Sequence, residues 1–190
     1  MAKMKITTLC YIECGGKMLM MYRNKKQNDQ NEGKWVGIGG SLEEGESPED
    51  GMVREVREET GIELSRGDWR FCGIISFVSY TDGTVYTEYM CLYGARCGDT
   101  AVTDCNEGTL EWIDAEKLGE LPMWQGDRIF LDLMRGRHEF FSLKLIYNGD
   151  DLTGAARHMD ELSGTGTKQE AAQSVELHGA IRQRVKAPRN

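Results

Sequence analysis

Residues 40–62 read GSLEEGESPEDGMVREVREETGI, a glycine-led loop that runs into a short, heavily acidic helix. Ser47-Pro48 marks the helix start, because a serine hydroxyl accepts from a free backbone N–H at the N-cap and proline needs no donor at the first position. Asp50, three residues on, approximates a capping box, and Gly61 supplies the C-terminal stop. Between these ends Glu55, Glu58 and Glu59 are spaced i, i+3, i+4 and so share one helix face. Like charges at that spacing cost roughly 0.2–0.5 kcal/mol per pair unless a cation sits among them. Three convergent carboxylates make a hard-oxygen site suited to magnesium or manganese, ions that keep waters and also accept substrate phosphate oxygens. Arg54 precedes Glu58 by four residues and can pair with it, fixing its orientation. A solvated, glutamate-rich helix would explain the run REVREE by itself. It would not explain Gly39-Gly40, which let backbone carbonyls approach a metal or phosphate closely, nor Glu46.

The fixed positions form one pattern: Gly40, five residues, Glu46, seven residues, then Arg54-Glu55-Val56-x-Glu58-Glu59-x-Gly61-Ile62. This matches the Nudix box at every fixed position, and the chain resembles Nudix (MutT-type) pyrophosphohydrolases. The resemblance implies an α/β/α sandwich with a mixed sheet between helices. It also implies cleavage of nucleoside diphosphates linked to another moiety. Glu55, Glu58 and Glu59, with a carbonyl of Gly39 or Gly40, would hold magnesium, with manganese as a substitute. Glu107 matches a glutamate on the loop facing the metals in such enzymes. The catalytic set is then Glu59, Glu55, Arg54 and Glu107, with the general base left open among the three glutamates.

Composition agrees with a small enzyme. The chain has 190 residues and a net charge of −8, which argues against nucleic-acid binding through counterion release. The N-terminal run MAKMKITTLCYIECGGKMLMM has charged or polar residues inside every apolar stretch, so no signal peptide and no membrane span is expected. The six cysteines (10, 14, 72, 91, 97 and 105) include no CxxC pair and no histidine neighbour. They read as reduced, mostly buried cysteines of a cytoplasmic protein. The expected partner is a small-molecule nucleotide; oligomeric state stays open.

Strand patterns flank the box. Lys5–Cys14 and Lys17–Arg23 read as a hairpin through Gly15-Gly16, and Trp35–Gly39 as a short strand. Trp69–Tyr80 and Thr84–Cys97 form a second hairpin around Thr81-Asp82-Gly83. Thr109–Ile113 is a further strand, and Asp114–Leu118 starts a short helix. Gly126–Arg135 places Ile129, Phe130, Leu133 and Met134 on one helical face, and Phe140–Tyr147 alternates as a strand. Residues 1–162 form the expected domain. Residues 163–190, rich in Gly, Ser, Thr, Gln and charge, are expected to be a disordered tail with a weak helix near Gln169–Val185. His138, His158 and His178 read as surface residues.

Substrate choice needs positions outside the box. No SQPWPFPxS-like run of the NADH-hydrolysing type occurs, and no proline lies between Pro48 and Pro122, where the ADP-ribose type carries one. Tyr80 falls slightly beyond the tyrosine of the diadenosine-polyphosphate type. Residues 25–35, Cys105–Gly108, Glu111–Asp114 and Leu121–Asp127 resemble MutT-type 8-oxo-dGTP diphosphatases. That resemblance implies that Trp124 stacks on the purine and Asp127 hydrogen-bonds its edge; an indole is a flat apolar platform, and a carboxyl group fixes orientation. Lys26 is the candidate for the phosphates. The chain departs from the animal enzymes at Gly126, where they have a further aspartate, and at Val36, where they have an asparagine. Other readings are a Nudix hydrolase of a dinucleoside polyphosphate or nucleotide sugar, and a non-catalytic interaction module, which the intact box glutamates disfavour.

Overall fold

The computed structural model describes residues 4–26, 29–81, 83–136 and 139–158. β1 (Met4–Cys14) and β2 (Lys17–Tyr22) form the first hairpin. Its turn is Gly15-Gly16, where both residues take positive φ, 56° and 81°, a region open to glycine at no steric cost. The remaining elements are β3 (Trp35–Val36), α1 (Pro48–Thr60), β4 (Trp69–Thr81), β5 (Thr84–Arg96), β6 (Thr109–Asp114), α2 (Gln125–Gly136), β7 (Phe141–Asn148) and β8 (Asp151–His158). The sheet runs β3-β2-β1-β5-β4-β7-β8, with β6 on the other edge of β2. β1 with β5 and β4 with β7 are the parallel pairs; the others are antiparallel.

Period-two alternation splits the apolar residues between the two faces. On one face Cys10, Ile12, Leu19, Met21, Cys91 and Tyr93 pack beneath Met52 and Val56 of α1. On the other, Tyr11, Met20, Leu92, Leu143 and Tyr147 pack against Phe130, Leu131 and Met134 of α2. Each large apolar side chain so buried contributes about 1.5–3 kcal/mol. The result is the expected α/β/α sandwich around a mixed sheet. Among the described residues, no helix is long and apolar enough to cross a membrane.

Three local expectations change. The strand read over Trp35–Gly39 keeps ladder pairing only at β3; beyond it the chain touches β1 through isolated bridges at Ile38 and Ser41. Asp114 ends β6 in place of starting a helix, and a single 3-10 turn follows at Leu118–Glu120. β8 was not anticipated, because DLTGAARH carries no aromatic residue and little β-branching; pairing with β7 builds it. The boundary at 162, the tail 163–190 with its weak helix, Asp82, His138 and His178 lie outside the described residues, as does the side chain of His158.

Candidate active site

α1 is fixed at both ends as the sequence predicts. The Ser47 hydroxyl accepts from the Asp50 N–H at 3.1 Å, and the Asp50 carboxylate accepts from the Ser47 N–H at 3.4 Å, closing the capping box. Gly61 ends the helix at φ 75°, its N–H donating to the Arg57 carbonyl.

Arg54 then organises the acidic face. Its Nε and Nη2 donate to the two carboxylate oxygens of Glu46 at 2.7 and 3.0 Å, a bidentate pair that accounts for the box glutamate far from the helix face. Nη1 reaches Glu55 at 2.9 Å and Glu58 at 3.2 Å, and Nη2 also holds the Ser41 carbonyl at 3.1 Å. The expected Arg54–Glu58 pair is thus one arm of a wider clamp. Arg54 pulls the Glu46 carboxyl down to about 2, aided by the Glu43 N–H.

The three glutamates of the face are not equivalent. Glu59 is buried and accepts from the Gly39 N–H at 3.0 Å. Burial, with the charges of Glu107 and Glu55, raises its carboxyl to about 8 against that hydrogen bond. Glu55 is 15% exposed and also raised, chiefly by burial, while Glu58 is 54% exposed at the rim. Gly39 and Gly40 both sit tight against neighbouring atoms. A Cβ on Gly39 would overlap the Thr8 carbonyl of β1, and one on Gly40 would come within 2.5 Å of a Glu55 oxygen.

Glu107, on the loop between β5 and β6, lies within electrostatic reach of both Glu55 and Glu59. One of its oxygens accepts from Arg23 and the other from Lys26 at 3.0 Å. Burial opposes ionisation there, but these two cations hold the carboxyl below its ordinary value.

These residues fit a divalent cation by chemistry: oxygen donors of net negative charge, backbone brought tight against them by two glycines, and two carboxyls, Glu55 and Glu59, raised chiefly by burial. Among the described residues, no three acidic, cysteine or histidine side chains already converge on one point. Arg54 draws Glu55 and Glu58 toward itself, and the Gly39 N–H holds Glu59.

Trp124 and Asp127 lie at the start of α2, on the opposite face of the sheet from α1, and both are buried. The Trp124 indole N–H donates to Asn31 Oδ1 at 2.7 Å, Tyr147 meets its ring edge-on at 5.5 Å, and the Lys34 ammonium stands 4.1 Å from the ring centre. Burial raises the Asp127 carboxyl to about 7. Gly126 is a packing requirement: a Cβ there would come within 2.5 Å of Leu145 and 2.7 Å of the Tyr147 hydroxyl. That hydroxyl accepts the Gly126 N–H at 2.8 Å. Val36 belongs to the core on the α1 side, away from Trp124.

The structure therefore brings Glu55, Glu59, Glu107, Gly39, Gly40 and Lys26 together, keeps Glu58 at their rim through Arg54, and sets Trp124 and Asp127 apart. Arg23 was read only as the end of a strand, and Asp29, Asn31 and Lys34 only as part of the resembling run 25–35, with no individual role for any of the four.

The NUDIX domain family model matches residues 4–134, and members of that family work with divalent metal ions. The uncharacterized Nudix hydrolase YvcI of Bacillus subtilis is 31% identical over 136 residues, covering 70% of this chain and 81% of that protein. An oxidized purine nucleoside triphosphate hydrolase of Danio rerio is 29% identical over 140 residues, covering 72% and 83%. The crystal structure of a MutT protein from Bacillus halodurans superposes with a TM-score of 0.71 at 24% identity, covering 80% of this chain and 97% of that one, which shows a shared fold. With the complete box over the loop and helix of residues 40–62 and a family match over most of its length, the chain belongs to the Nudix family and is a hydrolase of nucleoside-diphosphate-linked phosphoanhydride bonds.

Proposed function

We propose that this protein is a magnesium-dependent nucleoside triphosphate pyrophosphohydrolase that removes oxidised purine nucleotides. It would convert 8-oxo-dGTP and water to 8-oxo-dGMP and pyrophosphate, a cytoplasmic sanitising step ahead of DNA synthesis. The observation that carries the base preference is the pairing of buried Trp124 with buried Asp127 at the start of α2. Similarity to a purine-acting relative supports it.

In this reading Glu55, Glu58 and Glu59, with a Gly39 or Gly40 carbonyl, hold magnesium or manganese. When bound, the ion screens phosphate charge and lowers the pKa of the attacking water. Water adds to the β-phosphorus, the bond from that phosphorus to the α–β bridging oxygen breaks, and the nucleoside monophosphate leaves. The water's proton passes to Glu59, Glu55 or Glu107; of these, Glu107 is the one whose carboxyl is held below its ordinary value, by Lys26 and Arg23. Arg54 orients the box carboxylates, and Lys26 moves from Glu107 to a substrate phosphate. A purine stacking on Trp124 displaces the Lys34 ammonium, which has Asp150 beside it at 3.8 Å.

A second reading has its own observation. Gly126, beside Trp124, has no side chain to read the base, which favours a substrate read less through its base, such as a dinucleoside polyphosphate or nucleotide sugar. Comparing kcat/KM for 8-oxo-dGTP, dGTP, a nucleotide sugar and diadenosine tetraphosphate in magnesium separates the two. Preference for 8-oxo-dGTP with pyrophosphate release supports the first; equal values for 8-oxo-dGTP and dGTP remove it.

A further inference from the structure

We infer that Arg23, braced by Asp29, is the positioning residue that sets Glu107 for hydrolysis, and that Asn31 ties this setting to Trp124. The inference rests on the role given to Glu107 above. Arg23 follows β2, and its side chain is only 9% exposed. A guanidinium at that depth stays charged, so its donors need acceptors in fixed places. Nε donates to Asp29 Oδ2 at 2.6 Å, and Nη1 donates to Glu107 Oε2.

Asp29 decides the geometry. With Nε on Asp29 and Nη1 also 3.6 Å from Met21 Sδ, the guanidinium reaches Glu107 through Nη1 alone and at one carboxylate oxygen. The two oxygens of Glu107 then differ. Oε2 is pinned by a buried cation, whereas Oε1 is held by Lys26, which is 58% exposed and free to exchange. The pinned oxygen fixes the carboxylate plane, and the exchangeable one is left for a proton or for water. When Lys26 turns to a phosphate, Glu107 keeps its orientation because Arg23 does not leave with it.

The same unit continues to the far face of the sheet. Asp29 Oδ1 accepts the Asn31 N–H at 3.0 Å, and Asn31 Oδ1 accepts the Trp124 indole N–H at 2.7 Å. The segment is laced to its surroundings by the Arg23 N–H on the Lys34 carbonyl at 3.0 Å and the Gly33 N–H on the Arg23 carbonyl at 2.9 Å. An unbroken run of hydrogen bonds thus joins Glu107 on the α1 side to Trp124 on the α2 side. The reach across the sequence from Arg23 to a partly exposed glutamate is what marks a positioning role.

The test is a double-substitution cycle on the full chain in magnesium, using whichever nucleoside triphosphate it hydrolyses fastest. Arg23→Lys keeps the charge but loses the fork, so kcat falls about 10–100-fold, the usual cost of a supporting partner, while KM moves less than about 3-fold. In a Glu107→Gln background the same change costs less than about 2-fold, because its target is already gone. Asp29→Asn gives the same non-additive pattern and serves if Arg23→Lys does not fold. Wild-type kcat in both Arg23→Lys and Asp29→Asn, or losses that add fully to that of Glu107→Gln, overturn the inference alone. Wild-type kcat in Glu107→Gln overturns the role of Glu107 itself, and the inference with it.

Discussion

Asp127 shows how far an identity and its chemistry can separate. Its place in the motif was legible in the sequence, but its burial depends on Tyr11 and Tyr147, distant in the chain and close in space, each of which feels its charge. With a folded value of about 7 against an ordinary 3.8, the native state holds a proton between those limits that the unfolded chain releases. The resulting stability is present at pH 4 and is lost as pH rises through 7. Asp127→Asn removes the cost of the buried charge, and we expect it to be more stable than the parent at pH 8, on the order of 2–4 kcal/mol, with the gap closing by pH 4. Denaturant titrations at both pH values check this; a gap that does not depend on pH would contradict it. Glu58 and Glu59 make the complementary point. The i, i+3, i+4 spacing put both on one face, yet one is a rim residue and the other is buried, with the Gly39 N–H donating to the buried one.

α1 was legible nearly complete, since caps, register and acidic face are local features. The loop before it was legible only as glycine content. Its structure assigns the two glycines separate duties, and these can be told apart. Gly39→Ala pushes a methyl group into the Thr8 backbone at a positive φ, so it should cost about 2–4 kcal/mol of stability and lower Tm. Gly40→Ala meets only the end of the Glu55 side chain, so Tm should hold while kcat drops about 10–100-fold as that carboxylate is displaced. Thermal melts and steady-state kinetics on both variants decide the matter, and a reversed pattern would sink the assignment. β8 escaped the sequence reading for an opposite reason. It carries no strong local pattern, and it exists because β7 is already in place to pair with it.

The β7–β8 hairpin matters to the site through Tyr147. The Tyr147 hydroxyl accepts the Gly126 N–H and its ring packs on Trp124, so the sheet sets where α2 begins. Tyr147→Phe leaves that buried N–H without its acceptor and should cost about 1–3 kcal/mol, read as a lower Tm, with KM rising more than kcat falls. A Tm and KM equal to the parent's would break the link between hairpin and base platform. Glu107 belongs to the same class of long-range facts: the resemblance named it, but only the folded chain brings it to Arg23 and Lys26 beside α1. Everything proposed for the chemistry depends on carboxylates of α1 acting through a divalent ion. The most direct measurement is magnesium-dependent hydrolysis of a nucleoside triphosphate by the parent protein, Glu58→Gln and Glu59→Gln, with circular dichroism confirming the fold of each. Turnover that requires magnesium and falls at least about 100-fold in the Glu59 variant is the expected result. Folded Glu58→Gln and Glu59→Gln proteins that both keep the parent's turnover would contradict it.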